Sequence, residues 1–119
     1  PTYGLTDEQV ENMILESFEY AEADIEARQV IEARNEAQSV LNPTAKGLLD
    51  EEYANLTTEE KAEIDAATQN LRNAVNSNEH RVIREAIERL SHATMHLAEL
   101  IMNSAIAKAL KDKRVREIQ

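Results

Sequence analysis

Apolar positions along the chain recur at intervals of three and four residues, punctuated by short polar turns, and this pattern predicts helices from end to end. Thr6-Asp7-Glu8-Gln9 has the form of a capping box, in which a Thr hydroxyl takes an orphan amide and a Gln side chain reaches back. A helix is predicted to begin there, with Val10, Met13, Ile14, Ser17 and Phe18 following as one apolar stripe. From Tyr20 to Leu41 the chain turns polar, with Ala27, Val30, Ile31 and Leu41 as a thin apolar seam and Asp24 and Arg28 one turn apart. A helix this polar reads as an arm rather than a core element. Asn42-Pro43 is expected to interrupt it, because a proline inside a helix removes one backbone hydrogen bond and clashes with the preceding turn. The arm should stop there, or kink and restart with Asn42 as cap.

Leu48, Leu49 and Tyr53 supply an apolar edge before a second capping box, Thr57-Thr58-Glu59-Glu60. The helix it opens has the clearest amphipathic face in the chain: Ile64, Ala67, Leu71, Ala74 and Val75. Asn76-Ser77-Asn78 is a compact polar turn in which Ser77 or Asn78 is placed to cap the next helix. Val82, Ile83, Ala86, Ile87 and Leu90 then recur at helical spacing, and Leu97, Leu100, Ile101, Ala105, Ile106 and Leu110 continue the series. With no Gly or Pro between, one long helix fits, and so do two with a bend near Ser91. Short turns favour antiparallel neighbours. The prediction is an all-α fold: a short helix and a long arm over residues 1–41, a small antiparallel helical bundle over 42–111, and a basic tail over 112–119.

Composition narrows this without redirecting it. A chain of 119 residues supports one small core. With 3% aromatic residues and no Trp, that core must be built from Leu, Ile, Val, Ala and Met, and two Gly and two Pro are too few for the turns of a multi-stranded sheet. Cysteine is absent, which removes disulfides, thiol nucleophiles and Cys-based zinc sites. No leader and no apolar run of membrane-spanning length is visible, so a soluble cytoplasmic chain is expected. The net charge of −10 is uneven: residues 1–65 hold 17 acids and 4 bases (−13), residues 66–119 hold 6 acids and 9 bases (+3). The acidic half repels nucleic acid, and no basic stripe with stacking aromatics is present to bind it. Lys108, Lys111, Lys113, Arg114 and Arg116 read as the cationic end of a helix, offsetting its dipole.

Chemistry is hard to find in these residues. His92 and His96 lie four apart, a spacing that would hold zinc if Glu88 or Glu99 joined them, but the Glu of a His-Glu-x-x-His hydrolase is missing. Both read as half-exposed flanks of the Leu97 and Leu100 stripe. The residues three before His80, His92 and His96 are Ser77, Arg89 and Ala93, so no di-iron pair of the Glu-x-x-His type occurs. No serine sits in a strand-turn-helix elbow and neither glycine belongs to a phosphate loop. The many carboxylates form a solvated face, and Met13, Met95 and Met102 read as core filling. No catalytic, metal or cofactor-binding residue is assigned.

Gly4-Leu5-Thr6-Asp7, Tyr20-Ala21-Glu22-Ala23-Asp24, Ala27-Arg28, Arg34-Asn35 and the stretch from Leu56 to Leu71 together resemble the helical lid of the seventy-kilodalton heat-shock chaperones, the DnaK and HscA family. Within it, the stretch Ile101 to Lys111 and Glu19-Tyr20-Ala21-Glu22 are more similar to the HscA type, which serves iron–sulfur cluster assembly. The resemblance implies a lid over a β-sandwich that holds client peptide, and a family-like opening already under way at Gly4 implies that further chain precedes Pro1. Val10, Met13, Ile14 and Phe18 would then face the sandwich. Alignment on Arg34-Asn35 puts Gln38 and Asn42 where DnaK-type lids carry an acid and a histidine that latch the arm; neither carries charge, which weakens a latch made of charge-assisted bonds.

The lid resemblance implies a gate on client release, non-catalytic by itself, in a longer protein that binds and hydrolyses ATP elsewhere. Its implied partners are its own sandwich, a client peptide of the iron–sulfur scaffold protein and a J-domain co-chaperone, with no nucleic acid and no membrane. Separated from the sandwich, the apolar face of the first helix is expected to drive self-association. The competing expectation from composition alone is a freestanding acidic helical adaptor that recruits a basic partner.

Overall fold

A computed structural model of the protein describes residues 4–118; Pro1, where the upstream junction is expected, and Gln119 lie outside the described residues. All regular structure among the described residues is helical, as the spacing predicts. Helix α1 spans Asp7–Gly47, a short 3-10 helix spans Glu51–Asn55, and α2 (Thr58–Ala74), α3 (His80–Ala93) and α4 (Met95–Ile118) follow. Both capping boxes form. Thr6 Oγ1 accepts from Gln9 N at 3.2 Å while Gln9 Oε1 accepts from Thr6 N, and Thr57 with Glu60 repeats the exchange at 3.1 Å in both directions. Gly4 precedes the first box at φ 79°, a left-handed conformation open to glycine at little cost.

Helix α3 is the centre of the bundle, packed on α1 along one side and on α2 along another. Ile83, Ala86, Ile87 and Leu90 from α3 meet Ala67, Leu71 and Ala74 from α2 and Val30, Ala33 and Ala37 from α1 in one buried cluster. A second cluster, Leu56, Ile64 and Leu97, seats the start of α4 against the 3-10 helix, with Tyr53 and Ile101 partly buried around it. The face expected for α2 is therefore the one buried, with Val75 at its half-covered edge.

Three expectations are corrected. Asn42-Pro43 does not interrupt the arm: α1 runs unbroken through Pro43 to Gly47, and no separate short helix precedes the arm. The cost of Pro43 is confined to one missing amide and one carbonyl contact, and it is borne where Thr44 is buried and the helix is packed on both sides of the proline. The arm is also not wholly peripheral. Its polar composition hides a stripe of small residues: Ala33 and Ala37 are 0% exposed, and they let the α1 and α3 backbones approach closely. Of the expected seam, Val30 is buried and Leu41 half-buried, while Ile31 is exposed. Finally, the cap of α3 is Glu79, with Ser77 Oγ accepting from Glu79 N at 3.0 Å; of the two alternatives for the last stretch the structure shows two helices, parted at Thr94, three residues beyond Ser91.

The molecule is elongated, 88 × 36 × 15 Å. Two helical overhangs cause this. The N-terminal half of α1, up to about Arg28, and the end of α4 beyond Ser104 carry no buried residue. The basic tail expected at 112–119 continues α4 as helix to Ile118, with Arg116 in its last turn.

Candidate functional site

Helix α1 carries both groups of residues that the sequence singles out. Capped at Thr6 and continuous, it projects Val10, Met13, Ile14 and Phe18 on the overhang, where nothing in the bundle covers them. Val10 is half-buried, Met13 and Ile14 are more than half exposed, and Phe18 is 64% exposed. A run of large apolar side chains at helical spacing, left in solvent on an otherwise acidic helix, is an unfilled contact surface.

Gln38 and Asn42 lie about six to seven turns beyond Phe18, where α1 is held by the bundle. Gln38 Nε2 donates to Asn42 Oδ1 at 2.7 Å, so the two are paired along one face of the helix. Beside them Arg34, unremarked by spacing, bridges to the far end of α2: its Nε donates to the Val75 carbonyl at 2.8 Å and its Nη2 to the Ser77 carbonyl at 3.1 Å. The Val75 carbonyl is an orphan of the α2 C-terminus and the Ser77 carbonyl belongs to the turn after it, and a guanidinium satisfies both while favouring the negative end of the dipole. Arg84 Nη1 pairs with Glu36 Oε2 at 2.7 Å and ties α3 to the same stretch of α1. No local signal could reveal either contact, since the partners are more than 40 positions apart.

His92 and His96 border one shallow groove but lie on different helices. His92 ends α3 and His96 belongs to α4, with Thr94 between them; His96 Nδ1 lies 2.5 Å from Glu60 Oε2. Among the described residues no cluster of three metal-ligating side chains forms. The Glu60 carboxyl is held below its usual range, first by the Thr57 amide it accepts and then by His96. That arrangement is a helix cap joined to an exposed ion pair between α2 and α4, and it is structural. His80 Nε2 stands 3.9 Å from Glu26, again without a third ligand.

Helix α1 thus joins a solvent-facing apolar stripe on its projecting half to a polar face held by the bundle on its other half. The sequence model of the family described as Hsp70 protein matches residues 1–103. This chain belongs to the Hsp70 family. It is 40% identical over 119 residues to the chaperone protein HscA of Photorhabdus laumondii, and 37% identical over 118 residues both to HscA of Klebsiella pneumoniae and to an HscA homolog of Variovorax paradoxus. Each match covers 99% of this chain and 19% of the relative. The protein therefore corresponds to about a fifth of the length of the Hsp70 relatives it matches.

Proposed function

We propose that this Hsp70-family segment is the helical lid of an HscA-type chaperone and gates the release of client peptide from an adjacent β-sandwich. The observation that carries the reading is the overhang of α1, whose uncovered Met13, Ile14 and Phe18 require a surface to cover them. A helix attached through its C-terminal half to a separately packed bundle can dock and undock its N-terminal half at modest cost, as a gate must. Val10, Met13, Ile14 and Phe18 are the docking face, and Gln38 and Asn42 the latch positions. The segment is non-catalytic; ATP is bound and hydrolysed by another part of the whole protein. The client is a peptide of the iron–sulfur scaffold protein, the helper is a J-domain co-chaperone, and the compartment is the bacterial cytoplasm.

The decisive experiment uses the full-length chaperone and a fluorescent scaffold-derived peptide. Ile14→Asp combined with Phe18→Asp is expected to speed client dissociation about tenfold, equivalent to about 1.4 kcal/mol of lost docking, with basal ATP hydrolysis unchanged. An unaltered dissociation rate would sink the lid reading. Capture of basic partners by the acidic arm, insensitive to these substitutions, would favour the adaptor instead.

A further inference from the structure

Five side chains from two helices and a turn leave hydrogen-bond donors in one open groove. Arg34, Gln38 and Asn42 line it from α1, Arg72 from α2, and Asn76 from the turn that follows α2. No acidic side chain lines it. In a chain of net charge −10 this is a local reversal of sign, and it is concave.

The donors are already oriented. Arg34 spends Nε and Nη2 on the Val75 and Ser77 carbonyls, which fixes its guanidinium plane and leaves its remaining N–H groups unused. Arg72 is exposed and has no acidic partner among the described residues. Because Asn42 Oδ1 accepts from Gln38, the Asn42 Nδ2 donors and one Gln38 N–H are unspent.

We infer that this groove is a carboxylate site: it receives an Asp or Glu side chain from a protein segment lying across α1 and the end of α2. A planar monoanion fits the chemistry. Guanidinium forks match a carboxylate in two parallel bonds; the negative end of α2 at Val75, already partly offset by Arg34, opposes a dianion more strongly than a monoanion. The identity of the presenting segment rests on the lid reading: it belongs to the surface on which α1 closes. Charge absent from Gln38 and Asn42 is thus supplied beside them by Arg72 and Arg34, so the lid has a cationic receptor where an acid and a histidine would otherwise act.

The test is an NMR titration of the 15N-labelled chain with a capped tripeptide, acetyl-Ala-Glu-Ala-amide, and with its Gln counterpart. The Glu peptide should give saturable shifts confined to the Arg34 Nε–H and the Asn42 and Asn76 side-chain amides, the Gln peptide none. Added salt should weaken the effect. Arg72→Gln, an exposed change that should leave the rest of the spectrum in place, is expected to weaken binding about tenfold. Equal shifts from the Gln peptide, linear shifts scattered over the surface, or saturation by inorganic phosphate without the Glu peptide would each overturn the assignment. The titration reads the groove alone, so its failure leaves the client-release test of the lid intact. A failed client-release test would in turn leave the groove as a peptide site with another presenter.

Discussion

Glu60 shows how one side chain serves two elements. Its Oε1 accepts the Thr57 amide and completes the α2 cap, while Oε2 meets His96 of α4. Both contacts favour the carboxylate, and the carboxyl therefore titrates below its usual range in the folded protein. A group with a depressed folded pKa contributes its stability in full above the unfolded value, about 4.3, and loses it as pH falls through the lower folded value. Glu60→Gln keeps an acceptor for the Thr57 amide but removes the charge. Its melting temperature, followed against pH, should fall less steeply than the parent's below about pH 4.3; parallel acid limbs for the two proteins would refute the assignment. The Thr57–Glu60 half of this contact is legible in the sequence, because a capping box is local. The His96 half is not, since 36 positions separate the partners.

At the scale of the element, α1 is one unbroken helix with a projecting half and a packed half. Its 41 residues include Pro43, and the helix persists because Ala33, Ala37 and Thr44 bury it on the bundle to either side of Asn42. Tertiary packing overrides a local breaker when the buried contacts outweigh one lost hydrogen bond. Pro43 itself is exposed, so replacing it removes the steric cost without opening a cavity. Pro43→Ala should stabilise the chain by about 2–2.5 kcal/mol, the interior proline penalty of about 3 less the benefit of a stiffer unfolded chain. Urea unfolding checks this, and a destabilised variant would show that the proline bend is needed for packing against α4. The sequence misled here in a specific way. Alanine scores as nearly neutral in an apolar stripe, so a seam of Ala33 and Ala37 reads as polar helix although both residues are fully buried in the core.

The whole molecule is far from spherical. A compact chain of this length has a radius of gyration of about 13–14 Å, against 24.3 Å here. The excess comes from the two overhangs, which add length but little packing. Residues 27–104 contain every buried side chain among the described residues. That segment alone should unfold cooperatively, with a midpoint within a few degrees of the full chain's by circular dichroism. Loss of cooperative folding on trimming would mean that the overhangs support the bundle, which would be incompatible with a projecting half of α1 free to dock elsewhere. The apolar stripe on that half, and the exposed Met102, Ile106 and Leu110 on the overhang of α4, are the two faces where association of the isolated chain is to be sought.

What the sequence determined by itself is everything encoded within a few turns of helix: the all-α class, the starts of α1 and α2 at Thr6 and Thr57, and the buried face Ile64, Ala67, Leu71 and Ala74. Caps and 3.6-residue periodicity act between near neighbours, so they can be read without a fold. Tertiary structure alone decided that α1 continues through Pro43, that α3 ends at Thr94, and that Arg34 closes the end of α2 while leaving donors in a groove with Arg72. Each of these depends on which surfaces meet across 40 or so positions, and the energy of such contacts is set by burial and close approach rather than by any local pattern.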